Sequence, residues 1–284
     1  MKLREIYKSD KRVLSFEVFP PDSEVKVSAL FDEIRILNEF KPEFISLTRS
    51  SNNDNLALAR EIHKTLLDEI KTPVIPHFTC IKSNKKDIIK DLENLKELRT
   101  KNILALRGDK PEDYDEEKCD FKHANELVKY LNENTDFGIA VAGYPEGHIE
   151  SEDLESDIKY LKEKVNSGAD VIITQMFFDN NKYYNFCEKL EKKGIKIPII
   201  PGIMPILSTK QIDKMTTLAK ITIPPKLKNT LEKHSEDKKY IKEFGIEYSS
   251  IQCEDLITNE VKGLHFFTLN KAYSTSKILE NIKY

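Results

Sequence analysis

Short runs of β-branched and aromatic residues alternate along this chain with longer segments whose apolar positions recur at a helical interval. Such alternation predicts strands separated by amphipathic helices. The first run, 13–19, reads Val-Leu-Ser-Phe-Glu-Val-Phe and is closed by Pro20 and Pro21. After it, Ala29, Leu30, Ile34 and Leu37 fall on one helix face. Further strand runs lie at 44–48, 74–80, 102–107, 138–143, 170–175, 197–202 and 261–268. Helices are expected over 52–70, after Ser83 as N-cap, over 124–134, over 152–167 before Gly168, and over 181–193 up to Gly194. Ser208 is expected to cap the next helix, and a last helix closes the chain. Residues 108–120 form a loop rich in Asp, Glu and Pro, and 222–259 read as an extended helical insertion opened by Pro224 and Pro225.

Eight strand–helix units are the number that a closed parallel barrel needs. Parallel strands covered by helices are buried on both faces, which explains their nearly continuous apolar runs. The expected fold is therefore α/β, a (β/α)8 TIM barrel, with 1–284 as one domain and the insertion at 222–259 before the eighth strand. A doubly wound sheet is the structural rival. Its nucleotide-binding form opens on a Gly-rich turn, whereas the first strand here ends in Phe-Pro-Pro and no Gly-x-Gly-x-x-Gly occurs.

Composition narrows the function classes. Lys and Arg number 45 against 48 Asp and Glu, a formal charge of −3, and the lysines are scattered. That argues against a nucleic-acid surface, which needs a basic stripe. Cys80, Cys119, Cys187 and Cys253 stand far apart with no Cys-x-x-Cys pair, against a zinc ribbon or a disulfide scaffold, so no metal is expected. Residues 1–11 are polar and lack the apolar core of a secretory leader, and no stretch approaches a membrane span. A cytoplasmic protein without membrane or nucleic-acid partners is the expectation.

In a barrel, chemistry gathers at the carboxyl ends of the strands. This sequence puts Glu17 there from the first strand, and Thr48 and Arg49 from the second. The third gives His77 and Thr79, the fourth Arg107, Gly108 and Asp109, and the fifth Tyr144, Glu146 and His148. Gln175 follows from the sixth, with Thr268, Asn270 and Lys271 at the eighth. Each has a plain alternative. Glu17 can pair with a buried cation such as Arg107, and His77 can be a satisfied core histidine. Asp109 can cap a turn, Gln175 can close a local backbone bond, and Lys164 can be a solvated surface lysine. Their coincidence on one rim favours a site.

Seven motifs then fall in register, each at a strand end. They are Ser15-Phe16-Glu17-Val18-Phe19-Pro20-Pro21, Pro76-His77-Phe78-Thr79-Cys80, Ala105-Leu106-Arg107-Gly108-Asp109, and Tyr144-Pro145-Glu146-Gly147-His148. Ile173-Thr174-Gln175-Met176-Phe177-Phe178-Asp179, Ile200-Pro201-Gly202-Ile203-Met204-Pro205 and His265-Phe266-Phe267-Thr268-Leu269-Asn270 complete the set. In these the chain resembles the methylenetetrahydrofolate reductases, in their bacterial form of catalytic domain alone. The resemblance implies FAD held across the strand ends without a Rossmann motif, reduced by NADH or NADPH, which then leaves. Methylenetetrahydrofolate takes the same place and is reduced to 5-methyltetrahydrofolate for methionine synthesis. It also implies a homo-oligomer, and regulation through a C-terminal S-adenosylmethionine domain is not expected, since the sequence ends after the eighth unit.

The resemblance assigns roles position by position. Glu17 is the general acid that protonates the departing nitrogen as the folate's five-membered ring opens, a task that asks for a carboxyl whose pKa burial has raised. Asp109 contacts the pterin beside the flavin, Gln175 binds the pterin, and Gln211 is a further folate contact. Thr48, His77, Arg107, Gly108, Asp109, Ala124, Tyr144, His148, Asp157 and Lys164 fall at FAD positions, with Arg107 and Lys164 toward the pyrophosphate. Three positions depart from the family pattern. Arg49 stands where an aromatic is usual, and Glu163 where a basic residue is common. Lys271 replaces the arginine that holds the folate carboxylate, keeping charge but losing bidentate geometry. The rival readings are another FAD-dependent barrel such as a proline dehydrogenase-like enzyme, a non-catalytic barrel subunit, and a pterin-dependent methyltransferase.

Overall fold

Eight parallel strands pair in chain order and close on themselves: β1 (Val13–Val18), β2 (Phe44–Leu47), β3 (Val74–Thr79), β4 (Asn102–Leu106), β5 (Gly138–Gly143), β6 (Val171–Met176), β7 (Ile199–Ile203) and β8 (Gly263–Phe267). The (β/α)8 barrel expected from the alternation is thus present. The computed structural model describes residues 1–9, 11–23, 25–49, 56–81, 83–110 and 119–284. Strand side chains alternate between interior and exterior. Val13, Phe44, Ile75, Leu104, Ala140, Val171 and Ile200 fill the lower interior. The short helix α1 (Leu3–Ile6) plugs that end with Leu3 and Ile6, both buried.

The outward residues meet the helical shell. Val18 and Ile45 pack on α2 (Val25–Asn38) and α3 (Leu56–Thr65), which runs into a wider turn over Leu66–Ile70. Phe78, Ile103, Val141 and Ile172 form the largest cluster with α4 (Lys85–Glu97), α5 (Ala124–Asn134), α6 (Leu154–Asn166) and α7 (Asn180–Lys192). After α8 (Thr209–Ala219), the segment read as a helical insertion holds two helices, α9 (Pro225–Lys233) and α10 (Lys238–Thr258). Phe16 and Phe266 pack, with ring centroids 6.3 Å apart, in the cluster that α10 and α11 (Ala272–Asn281) share.

Two local expectations change. The N-cap of α4 is Asn84, whose side chain accepts from Lys86 and Asp87 N–H, while Ser83 is held in the preceding turn by its N–H to the Cys80 carbonyl. Ser208 does cap α8, accepting from Gln211 N–H. Residues 52–55 of the expected second helix and 111–118 of the acidic loop lie outside the described residues. Among the described residues no helix is long and apolar enough to cross a membrane.

Candidate active site

Above the apolar floor, the barrel interior turns polar. Ser15 and Glu17 are two apart on β1 and so share its inner face. Strand register sets Ser15 beside His265 of β8 and Glu17 beside Ser46 of β2. Glu17 Oε2 lies 3.1 Å from His77 Nε2 and 3.7 Å from His265 Nε2. Each imidazole also meets a serine: His77 Nε2 is 3.0 Å from Ser46 Oγ, and His265 Nδ1 is 2.8 Å from Ser15 Oγ. Thr268 Oγ1 donates to the Glu17 carbonyl at 2.7 Å, fixing the strand end that carries the carboxylate.

In this arrangement the Glu17 carboxyl shifts in the direction opposite to the one expected. Burial pushes its carboxyl upward, but the charge of His77 and the contacts of both imidazoles outweigh that, and the pKa falls to about 2. Glu17 is therefore held as an anion at neutral pH. The alternative pairing with Arg107 is also corrected. Arg107 forks onto Glu150, Nη1 to Oε2 and Nη2 to Oε1, each 2.7 Å.

A cavity of about 460 Å³ opens at the carboxyl ends of β3 to β5 and runs out between α5 and α6. His77 lies on its wall and joins it to the Glu17 cluster. Arg107, Gly108 and Asp109 contribute from the end of β4, and Ala124 from the first turn of α5. Tyr144 and His148 follow β5, while Asp157 and Lys164 project from α6. Gly108 has φ +91, and a Cβ there would come within 2.6 Å of Ile81 Cγ2, so only glycine gives this turn its close approach. Thr48 lines a smaller adjoining cavity of about 60 Å³ that shares Arg49 and His77 with the larger one.

The outer part of the cavity has a different electrostatic character. Burial lowers the Lys164 amine to about 8 and raises the Asp157 carboxyl. Lys164 Nζ donates to the Ala142 carbonyl at 2.7 Å and lies 5.9 Å from the centroid of the Tyr144 ring. Asp157 Oδ1 accepts from Ser151 Oγ at 3.2 Å, while its buried Oδ2 has no hydrogen-bond partner among the described residues. An orphaned carboxylate oxygen suits a hydroxyl-bearing ligand, and a half-buried ammonium beside Arg107 suits phosphate oxygens. A volume within the range of small-molecule sites completes the fit to FAD. Tyr144, His148, Asp157 and Lys164 would hold its polar chain.

Other expected positions stand elsewhere. Gln175 Oε1 accepts from the next backbone N–H, Met176, at 2.9 Å. Gln211 is turned into its own loop, accepting from Leu207 N–H at 2.7 Å and donating to the Pro205 carbonyl at 3.0 Å. Lys271 pairs with Glu33 at 3.2 Å across α11 and α2. None of the three lines either cavity. Of the departures, Arg49 is bound to Asp91 at 2.8 Å, and Glu163 accepts from Asn125 Nδ2 at 3.1 Å.

Sequence reasoning missed Ser15, Ser46, His265 and Glu150. The spacing of Ser15 and Glu17 was a usable signal, because a serine two residues before an inward glutamate shares its face. Nothing local marks Glu150, which sits in the loop between β5 and α6.

Comparison with known proteins agrees with this geometry. A family model for methylenetetrahydrofolate reductase matches residues 2–283. Methylenetetrahydrofolate reductase 1 of Schizosaccharomyces pombe is 34% identical over 278 residues, covering 96% of this chain and 46% of that protein. The 5,10-methylenetetrahydrofolate reductase of Pectobacterium carotovorum subsp. carotovorum is 33% identical over 259 residues, covering 91% of this chain and 86% of the relative. The chain thus spans about half the length of the fungal relative and most of the bacterial one. Among solved structures, an uncharacterized Clostridium thermocellum protein that binds two copies of 5-methyl-5,6,7,8-tetrahydrofolic acid aligns with a TM-score of 0.68 at 16% identity, over 99% of this chain and 96% of that one. At that identity the likeness speaks for the fold alone. The match across nearly the full length, with relatives above 30% identity, means that the chain belongs to the methylenetetrahydrofolate reductase family.

Proposed function

We propose that this chain catalyses the NAD(P)H-dependent, FAD-mediated reduction of 5,10-methylenetetrahydrofolate to 5-methyltetrahydrofolate, supplying methyl groups for methionine synthesis. The observation that carries this reading is the junction, at His77, of a buried carboxylate–imidazole cluster with a long polar cavity at the barrel mouth. On this reading 1–284 form one FAD-binding catalytic domain that works in the cytoplasm as a homo-oligomer. FAD, when bound, supplies hydride transfer, accepting from NADH or NADPH and giving to the folate in a ping-pong exchange.

The protein's own part is binding, orientation and proton supply. Folate ring opening needs a proton on the departing nitrogen. Glu17 is held as an anion, so it acts as the last carrier of a proton that begins on His77 or His265. Ser15 holds the His265 ring at Nδ1, the nitrogen away from the carboxylate, at 2.8 Å, while Ser46, at 3.0 Å, shares with Glu17 the Nε2 of His77. Asp109, exposed on the cavity rim, presents an acceptor to the pterin. Lys164 and Arg107 give the cationic end that a diphosphate requires. Gln175 and Gln211 would contact the folate only after leaving their present backbone bonds.

Anaerobic absorbance spectroscopy tests this directly. NADH or NADPH should bleach the bound flavin, and methylenetetrahydrofolate should restore its colour. A bleach without recovery would remove the folate assignment. A protein that takes up no FAD would sink the whole reading.

A further inference from the structure

The cation best suited to a diphosphate is already engaged. A guanidinium presents its planar fork equally well to a carboxylate and to a phosphate, because both offer two oxygens along one edge. In Arg107 the outer edge of that fork, Nη1 and Nη2, is taken by Glu150 through two parallel bonds of 2.7 Å. Nε donates to the Gly108 carbonyl at 3.1 Å and anchors the side chain to the β4 turn. Among the described residues the Glu150 side chain has no comparable hydrogen-bond anchor. Its side chain is 43% exposed against 17% for Arg107, and it rides on the loop between β5 and α6. Rotation of one surface side chain would release both Glu150 bonds from the fork.

Arg49, the next cation along the wall, is matched by Asp91 at 2.8 Å. Lys164 gives one of its N–H groups to the Ala142 carbonyl. The carboxylates of Asp109, Asp157 and Glu163 also line the cavity. An incoming diphosphate therefore meets a wall whose positive charge is largely balanced, and its strongest partner is shielded by an internal anion.

We propose that Glu150 is a displaceable internal counterion. It occupies the edge of Arg107 that a diphosphate ester needs, holds the guanidinium aligned, and gives up its place as the diphosphate binds. Glu150 thus sets the affinity of the site for diphosphate-bearing ligands and distinguishes them from ligands without phosphate. This inference rests on the reading of the cavity as a dinucleotide-cofactor site. It goes further in naming the group that competes there.

The test compares wild type with Glu150→Gln, which keeps the size and removes the charge. Dissociation constants for FAD and for riboflavin, which has no phosphate, are measured by quenching of flavin fluorescence. Thermal stabilisation by inorganic pyrophosphate is read in parallel. FAD binding should tighten about fivefold in the variant, the scale of one partly exposed ion pair, with riboflavin unchanged. Pyrophosphate should stabilise the variant more than wild type. Unchanged or weaker FAD binding in the variant overturns the proposal, as does an equal gain for riboflavin. Should neither protein bind FAD while pyrophosphate still favours the variant, the flavin reading falls and the counterion stands as a gate for diphosphate alone. If pyrophosphate does not separate the proteins either, both fall.

Discussion

Replacing His77 by Gln removes the imidazole that lies 3.1 Å from the Glu17 carboxylate. A carboxyl moved from 4.5 to about 2 on folding reflects ~3 kcal/mol of net stabilisation of its charged form, at roughly 1.4 kcal/mol per tenfold. His77 is the larger of the two lowering influences, so His77→Gln should cost about 2–3 kcal/mol where both partners are charged. With 284 residues and an unfolding entropy of ~2.1 cal/mol/K per residue, that is a fall in Tm of ~3–5 °C. The sign with pH follows from the depressed folded value. The part carried by the Glu17 charge is lost as pH falls from 4.5 toward 2, so wild type and variant should converge in acid. The assay is thermal unfolding by circular dichroism across pH, for wild type, His77→Gln, Glu17→Gln and the double variant. Direct pairing predicts a coupling energy of about 2 kcal/mol in this cycle. Additive single effects, or a gap that widens in acid, would refute the assignment of the Glu17 charge to His77.

Glu17→Gln should slow recolouring of reduced flavin by the folate by about 10²–10⁴, the usual weight of a positioned acid, while stopped-flow bleaching by NAD(P)H stays near the wild-type rate. Lys164, lowered to about 8, is a cation below that pH and neutral above it, so FAD affinity should weaken as pH rises through about 8. Lys164→Met should bind FAD more weakly and lose that pH slope, as read by fluorescence titration. Gly108→Ala should lower stability to denaturant by about 1–3 kcal/mol, because φ +91 and a 2.6 Å approach to Ile81 both oppose a side chain. Phe266→Ala, in a fully buried position, should cost about 3–5 kcal/mol on the same denaturant curves.

The barrel was legible because its strands are buried on both faces. Runs such as Ile-Ala-Val-Ala at 139–142 have no polar face to confuse with a surface strand. Ends were less so. Phe19 continues the apolar pattern of β1 yet is 40% exposed, because Pro20 and Pro21 turn the chain away there. Ser83 and Asn84 are both good N-caps, and the choice was made by the turn that binds Ser83 N–H to Cys80. At the site, rim membership followed from strand position alone, which is why His77, Arg107, Asp109 and Tyr144 meet on one cavity. Partnerships did not follow. Glu17 meets His265 because β8 pairs with β1 when the barrel closes, a contact between residues 248 positions apart that no local pattern encodes. Gln211 shows the converse, since a polar residue at a strand end can spend its hydrogen bonds on its own loop.

The two ends of the site are built on opposite electrostatic plans. At Glu17, two imidazoles lie within 3.7 Å and each ring has its own serine, so burial strengthens the pairing and the carboxyl is held as an anion. Such a cluster holds its carboxylate without any ligand, although among the described residues the buried His265 Nε2 has no hydrogen-bond partner, and it is prepared to move a proton. At Asp157 and Lys164 the hydrogen-bond partners are neutral, a serine hydroxyl and the Ala142 carbonyl, and the attraction of the two charges for each other is weaker than the effect of burial. Burial then dominates, raising the acid and lowering the amine, and it leaves Asp157 Oδ2 without a hydrogen-bond partner among the described residues. Polar groups kept under-satisfied lose stability to the fold and recover it when a ligand supplies the missing bonds. The barrel mouth therefore separates its labours. The inner end is preorganised for chemistry, and the outer end retains unmet hydrogen-bonding capacity that binding can use.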